Sequence, residues 1–264
     1  MFKSKTAMEK EWFKLQRQEL DFLVKNIKKE DSKLVQLLED KVPEGLQATL
    51  DKAFYKSFQI IFEKGTDIIE KTYRKEKIEE EFEFNEFKEA RDRNKKNLKA
   101  YSSNAKTSGV VNTLVSGVSG VGLGALGIGI PDIFLFTGTL LKNVYQIALN
   151  FGYDYDKPDE KKFILLLIQG ALSSGNDLRK LNDEADYFIA NGEFTSEANM
   201  EERIRDASDC LSKELLYMKF LQGIPVVGAL GGAYNALYMQ KVSKYAELKY
   251  RRRLYTKRRE EMKK

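Results

Sequence analysis

No histidine occurs anywhere in these 264 residues. That removes Ser/His/Asp and Cys/His nucleophile systems, histidine zinc sites and imidazole proton shuttles together. Any catalysis would have to run on carboxylates, lysine, tyrosine or the backbone. Cysteine is nearly absent as well. Cys210 stands alone, which excludes an intrachain disulfide and a CxxC metal or redox site. In RIRDASDCLSKELL it shares a helical face with Ile204, Ala207 and Leu211, the setting of a buried thiol rather than of a nucleophile. The first 20 residues lack an apolar run of the signal-peptide kind, so a cytoplasmic location is expected. No GxxxxGK[ST] occurs, and with it goes the P-loop.

What is present is uneven. Charged residues make up 32% of the chain, yet residues 107 to 131 carry none and hold seven of its 18 glycines. A second uncharged stretch, 220 to 240, repeats the theme with Gly223, Gly228, Gly231 and Gly232. Ser116, Gly120, Gly124 and Gly127 fall on one helical face, and small residues four apart let two backbones come close. Gly117, Gly120, Gly124, Gly127, Gly228 and Gly232 are therefore the candidate helix-packing or membrane and lipid contacts. The first stretch is long enough to span a bilayer, but Asn112, Thr113, Ser116 and Ser119 interrupt it. A buried or interfacial helical hairpin is the expectation.

The remainder of the sequence reads as helices. Phe13, Leu20, Leu23, Val24 and Ile27 recur at spacings of three and four, an amphipathic helix with that face to bury. A short helix is expected over Leu34 to Leu38, capped by Asp31 or Ser32. Leu46, Leu50, Phe54, Phe58, Ile61, Phe62, Ile69 and Tyr73 keep one stripe for about eight turns. Residues 74 to 99 are charged at 17 of 26 positions and read as a solvated helix or mobile connection, with Phe82, Phe84 and Phe87 as a docking spot in the other reading. Pro131 and Asp132 open a helix that is apolar nearly all round, and Gly152 is its expected stop. Asp156 can cap the next helix, with Pro158 near its first position and FILLLI, 163 to 168, apolar on every side. Asn176 or Asp177 starts another, Asn191 and Gly192 end it, and residues 195 to 198 begin the next. The fold class is all-α: a multi-helix bundle with the two glycine-rich apolar segments packed centrally and no significant sheet. We divide it into an N-terminal helical extension (1 to 33), a helical domain (34 to 258, with 74 to 99 as a charged insertion) and a basic tail (259 to 264).

Tested for chemistry, the sequence yields little. Gly122, Gly124 and Gly127 satisfy GxGxxG, but the fingerprint needs a strand before it and an acid about 20 residues on, and neither is present. Asp154, Asp156, Asp159 and Glu160 lack the glycine and glutamate of an EF-hand loop and suit helix capping. Asp132, Asn143, Gln146, Asp154 and Asn235 are expected to form a buried polar cluster, because polar groups in apolar helices need partners. No catalytic residue, cofactor or metal is expected. The net charge is +5, while residues 249 to 264 alone balance to +7, so the basic character is a C-terminal feature and a general nucleic-acid coat is disfavoured. Arg251, Arg252, Arg253, Arg258 and Arg259 read as a solvated helix end, as contacts to anionic lipid headgroups, or as nucleic-acid contacts.

Three segments together resemble the EcsC family. IPDIFLFTGTLLKNVYQIALNFGYDYDKPDEKKFILLLIQGAL has Asp132 opening an apolar helix, then Gln146, Ile147 and Ala148 before Phe151, Gly152, Tyr153 and Asp154. GIPVVGALGGAYNALYMQKVSKYAELKYRRRLYTKR supplies Pro225, Gly228, Ala229, Gly232 and Asn235, then Tyr250 and Arg251. LLEDKVPEGLQATLDKAFYKSF is the weaker third, and Phe151 stands where the family usually has tyrosine. The resemblance implies a bacterial intracellular protein associated with the locus of an ABC transporter involved in secretion, with no established enzymatic activity. The expected role is a non-enzymatic accessory protein, peripheral at the cytoplasmic face of the membrane, whose partner is the membrane surface or a membrane protein. The alternatives are a soluble carrier of a lipid or other hydrophobic ligand between the glycine-rich helices, and a carboxylate-dependent enzyme using Asp132, Asp154 or Asp156.

Overall fold

The computed structural model describes residues 6 to 27, 45 to 63, 67 to 109, 131 to 221 and 232 to 263; these are helices and short connections, with no strand among them. The helices are α1 (Ala7–Ile27), α2 (Leu46–Glu63), the single turn α3 (Asp67–Glu70), α4 (Lys75–Arg91), α5 (Lys95–Gly109), α6 (Pro131–Asn150), α7 (Pro158–Leu172), α8 (Gly175–Asn191), α9 (Met200–Leu221) and α10 (Gly232–Glu261). The short helix expected over Leu34 to Leu38 lies outside the described residues. So do Gly117, Gly120, Gly124, Gly127 and Gly228, and the central packing expected of them.

Three helices make the centre. α7 buries every residue from Phe163 to Leu172, as its unbroken apolar run requires, and packs on α8, α9 and α10. α6 buries Ile133, Phe134, Phe136, Leu140, Leu141, Val144, Tyr145, Ile147, Ala148 and Leu149 among α2, α4, α5 and α10. α10 runs for 30 residues through the bundle and touches α1, α5, α6, α7 and α8. Its close approach to α7 depends on Gly170, where an added Cβ would sit 2.9 Å from the Tyr245 ring. The predicted stripe is buried at Leu50, Phe54, Phe58 and Ile61 of α2 and at Ile69 of α3; residues 64 to 66 between them lie outside the described ones.

Helix ends follow local chemistry. Thr6 and Glu9 form a reciprocal capping box on α1 (2.7 and 3.2 Å), and Asn199 and Glu202 form another on α9 (2.9 and 3.0 Å). The start expected at 195 to 198 is thus displaced to Asn199, because Ser196 is engaged by Glu184 and Arg203. α7 has Pro158 in its first turn, as expected, but Asp156 does not cap it: the N-cap is Lys157, and Asp156 pairs with Lys75 and Lys161. α8 begins at Gly175, with Ser174 as its N-cap residue. Gly152 closes α6 with φ near +77°; its N–H reaches Leu149 O at 2.9 Å and that of Tyr153 reaches Ala148 O at 3.0 Å, a Schellman motif.

The expectation for α1 is overturned. Phe13, Leu20 and Val24 point outward, 51%, 59% and 44% exposed, while Met8, Glu11, Leu15, Glu19 and Asn26 face the bundle. Of the two readings of residues 74 to 99, the helical one holds. α4 and α5 form a hairpin packed on α6, with Ile78, Asn85 and Glu89 buried and the Phe82 ring set against Gly152.

Gly152 and Gly192 share a left-handed conformation but differ in surroundings. A Cβ at Gly152 would overlap the Phe82 ring, whereas nothing lies within 4 Å at Gly192. Gly192→Ala is expected to cost about 1 to 2 kcal/mol from the backbone alone, and Gly152→Ala about 2 to 4 kcal/mol because overpacking is added. Urea denaturation of the two variants checks the difference; equal losses would contradict it.

Candidate functional site

The C-terminal half of α10, YAELKYRRRLYTKRREE, is the strongest concentration of positive charge in the bundle, and the structure turns most of it inward. Lys249 is only 1% exposed and reaches Asp186 of α8 at 2.6 Å and Glu19 of α1 at 3.7 Å. Arg252 joins the same pair, at 2.7 Å from Glu19 and 3.2 Å from Asp186. Arg253 meets Glu160 of α7 at 2.7 Å and stacks over Tyr153, Phe163 and Phe188 at 4.0, 5.4 and 5.0 Å. Tyr250 donates to the other Glu160 oxygen at 2.6 Å. Arg258 pairs with Glu86 and Glu89 of α4, the latter at 3.3 Å, and Tyr101 donates to both carboxylates at 2.7 and 2.9 Å. Arg251 donates to Gln18 at 2.5 Å and lies 3.4 Å from the buried Glu247.

These groups are placed to hold helices together. Burial alone would lower the Arg258 and Arg253 pKa values, but Glu86 and Glu89 hold the first up and Glu160 the second. At Glu19 burial wins over Lys249 and Arg252, and its pKa is raised. Arg251, Arg252, Arg253 and Arg258 are thus engaged by side chains of α1, α4, α7 and α8 or of α10 itself, and do not form the free basic surface expected of them. Arg259 covers the Trp12 ring at 4.3 Å.

Of the buried polar cluster expected from sequence, the side chains of Asn143, Gln146 and Asp154 are described. Asn143 and Gln146 are buried on α6, where Asn143 reaches the Met239 sulfur at 3.4 Å and the Gln146 Oε1 finds no protein partner. Asp154 is exposed, and its Oδ1 accepts the Asp156 N–H at 3.1 Å within the turn. The side chains of Asp132 and Asn235 lie outside the described residues; Gly232 is the first residue of α10.

Sequence reasoning missed a second polar cluster. Tyr155 donates to Glu70 and Tyr73 donates to Tyr155 at 2.7 Å, with Lys75 3.2 Å from Glu70 and 3.4 Å from Asp156. Tyr145 stacks on Tyr155 at 4.2 Å with its hydroxyl buried and without a protein partner. Burial raises the pKa values of Tyr73, Tyr145 and Tyr155, reinforced by the negative charge of Glu70, so all three are proton donors rather than bases at neutral pH. Lys142, only 1% exposed, donates to the Thr72 carbonyl at 3.1 Å, and burial lowers its pKa. The helical spacing of Lys142 and Tyr145 was the available signal. Among the described residues no group of three acids or cysteines is arranged to hold a metal. The Cys210 thiol is pushed up to about 12, by burial first and then by Glu214, and is a protonated, packed group at neutral pH.

An apolar cleft lies among the described residues. It has an empty volume of about 230 Å³ and is lined by Phe54, Phe136, Leu211, Glu214, Leu215 and Tyr238. Phe136 lies one turn into α6, Leu215 near the end of α9 and Tyr238 near the start of α10. The helix ends that adjoin residues 110 to 130 and 222 to 231 therefore meet at one end of the bundle.

The sequence model of the EcsC protein family matches residues 8–254, nearly the whole chain, and the chain belongs to this family. The matched region takes in α1 and ends within α10. No curated protein and no solved structure matches it.

Because the Lys142 pKa is lowered on folding, the unfolded chain binds more protons between that lowered value and the ordinary lysine value of about 10.4, so this residue adds stability as pH rises through that window. Lys142→Met removes the penalty of a buried charge while keeping its volume. At pH 8 the variant is expected to be at least as stable as the native protein, with the margin shrinking towards pH 10. A loss above about 1 kcal/mol at pH 8 in denaturant titration would contradict the assignment.

Proposed function

We propose that this EcsC-family protein is a non-enzymatic accessory or interaction protein, held peripherally at the cytoplasmic face of a bacterial membrane. Its partner there is the bilayer surface or a membrane protein, an ABC transporter being the association the family resemblance suggests. The observation that carries this reading is the convergence of α6, α9 and α10 around the apolar cleft of Phe136, Leu215 and Tyr238. Both uncharged, glycine-rich stretches of the sequence adjoin those helix ends. The chain leaves the first of these stretches, and both enters and leaves the second, beside the cleft.

Two further findings favour attachment over catalysis. Most α10 arginines are neutralised by fixed carboxylates, and the buried tyrosines of the second cluster are held in their protonated form. No helix among the described residues is long and apolar enough to cross a membrane, which favours a peripheral mode for them. A carrier role would need an enclosed site, and this cleft leaves almost no enclosed room for a ligand; the accessory reading is preferred.

Fractionation of bacterial cells expressing the full chain tests the proposal. The protein is expected in the membrane pellet and in the supernatant after an alkaline carbonate wash. Recovery wholly in the soluble fraction before any wash would contradict it.

A further inference from the structure

The side of α1 that carries Glu11, Glu19 and Phe22 fastens it to the bundle. Glu19 meets Lys249 and Arg252, Phe22 stacks on Tyr245 with ring centres 5.0 Å apart, and Glu11 lies 4.0 Å from Lys99 of α5. At about 100° per residue, Leu20, Phe13 and Val24 fall within a narrow arc on the opposite side, and all three are exposed. Leu23 and Ile27 are partly exposed beside them. The adjoining arc, towards α5, carries the exposed bases Lys10, Lys14, Arg17 and Lys25, with Asp21 the exposed acid among them.

The positive surface continues off α1. α5 contributes Lys95, Lys96, Lys99 and Lys106 and contains no acidic residue. Lys244 of α10 adds another base, 4.0 Å from Glu247. Burial, with the charges of Arg251, Lys106 and Lys14, outweighs Glu247 and lowers the Lys244 pKa. An apolar strip flanked by a basic field is the pattern of a helix that lies in a membrane interface. Such bases are drawn to an anionic leaflet.

We infer that the outward face of α1, with the exposed lysines of α1 and α5, docks on an anionic phospholipid bilayer. Leu20 and Val24 enter the boundary between headgroups and acyl chains, while Lys14, Arg17, Lys25 and Lys106 meet lipid phosphates. This assignment rests on the peripheral reading above and names its surface. Phe22 lies beside Tyr245, two turns along α10 from Tyr238 of the cleft, and α1 runs antiparallel to α10, since Trp12 meets Arg259. The C-terminal half of α1 thus lies towards the same end of the bundle as the cleft. Nucleic acid would use the bases but leave Leu20 and Val24 in water. A symmetric contact with a second copy would set two basic fields against each other.

Flotation of the full chain with phosphatidylcholine vesicles, with and without phosphatidylglycerol, tests the inference. The native protein is expected to float only with the anionic vesicles. Leu20→Glu with Val24→Glu, and separately Lys14→Glu with Lys106→Glu, should each weaken binding roughly tenfold or more. Arg17→Gln with Lys25→Gln, milder changes at exposed sites, gives the readout if circular dichroism shows either pair misfolded. Native protein that floats together with folded variants binding equally well overturns the role of α1 and leaves the peripheral reading standing. Failure to float while the protein still pellets with cell membranes overturns lipid docking in favour of a membrane-protein partner. Failure in both assays removes the peripheral reading as well. Binding to duplex DNA but not to vesicles also overturns it.

Discussion

Burying cations is the constraint on which this bundle depends. Removing an ammonium or guanidinium from water carries a penalty of several kcal/mol, recovered only when a carboxylate stands in good geometry. α10 buries Lys249, Arg251 and Arg258 and half-buries Arg252 and Arg253, and their acids come from α1, α4, α7 and α8 as well as from α10 itself. Each pairing fixes the rotation of one neighbouring helix about its own axis. Apolar contacts alone would fix that rotation less tightly, because hydrophobic burial is non-directional.

The same constraint explains why α1 is turned as it is. Its apolar face by periodicity is Phe13, Leu20 and Val24, but the opposite side carries Glu11, Glu19, Leu15, Trp12 and Phe22. Glu19 supplies the charge that Lys249 and Arg252 need, and the larger rings supply packing for Tyr245 and Arg259. The inward side therefore buries more aromatic surface and neutralises two cations, while three aliphatic and aromatic groups are left outside. That residue of exposed apolar surface, next to bases with few acids, is the most informative feature of the exterior.

Much of this was legible from the sequence alone and some of it was not. FILLLI at 163 to 168 and the run after Pro131 are apolar on all sides, so their central places in the bundle followed directly. Gly152 and Gly192 were readable as stops because an αL residue suits glycine. The α10 ion pairs were not readable, because bases at a helix C-terminus look the same whether they meet water, lipid or acids distant in sequence. Glu160 and Asp186 are separated from their α10 partners by more than 60 residues, and no local pattern links them. Asp156 looked like a cap for a local reason, and a tertiary pairing with Lys75 claimed it.

α10 is the structural spine of the bundle, and its buried cations bind the helices to one another. A double-mutant cycle on Arg253 and Glu160, using Arg253→Met, Glu160→Gln and the pair in urea denaturation, measures this most directly. Coupling of about 1.5 kcal/mol or more is predicted for so buried a charge-assisted pair, and coupling indistinguishable from zero would contradict the account.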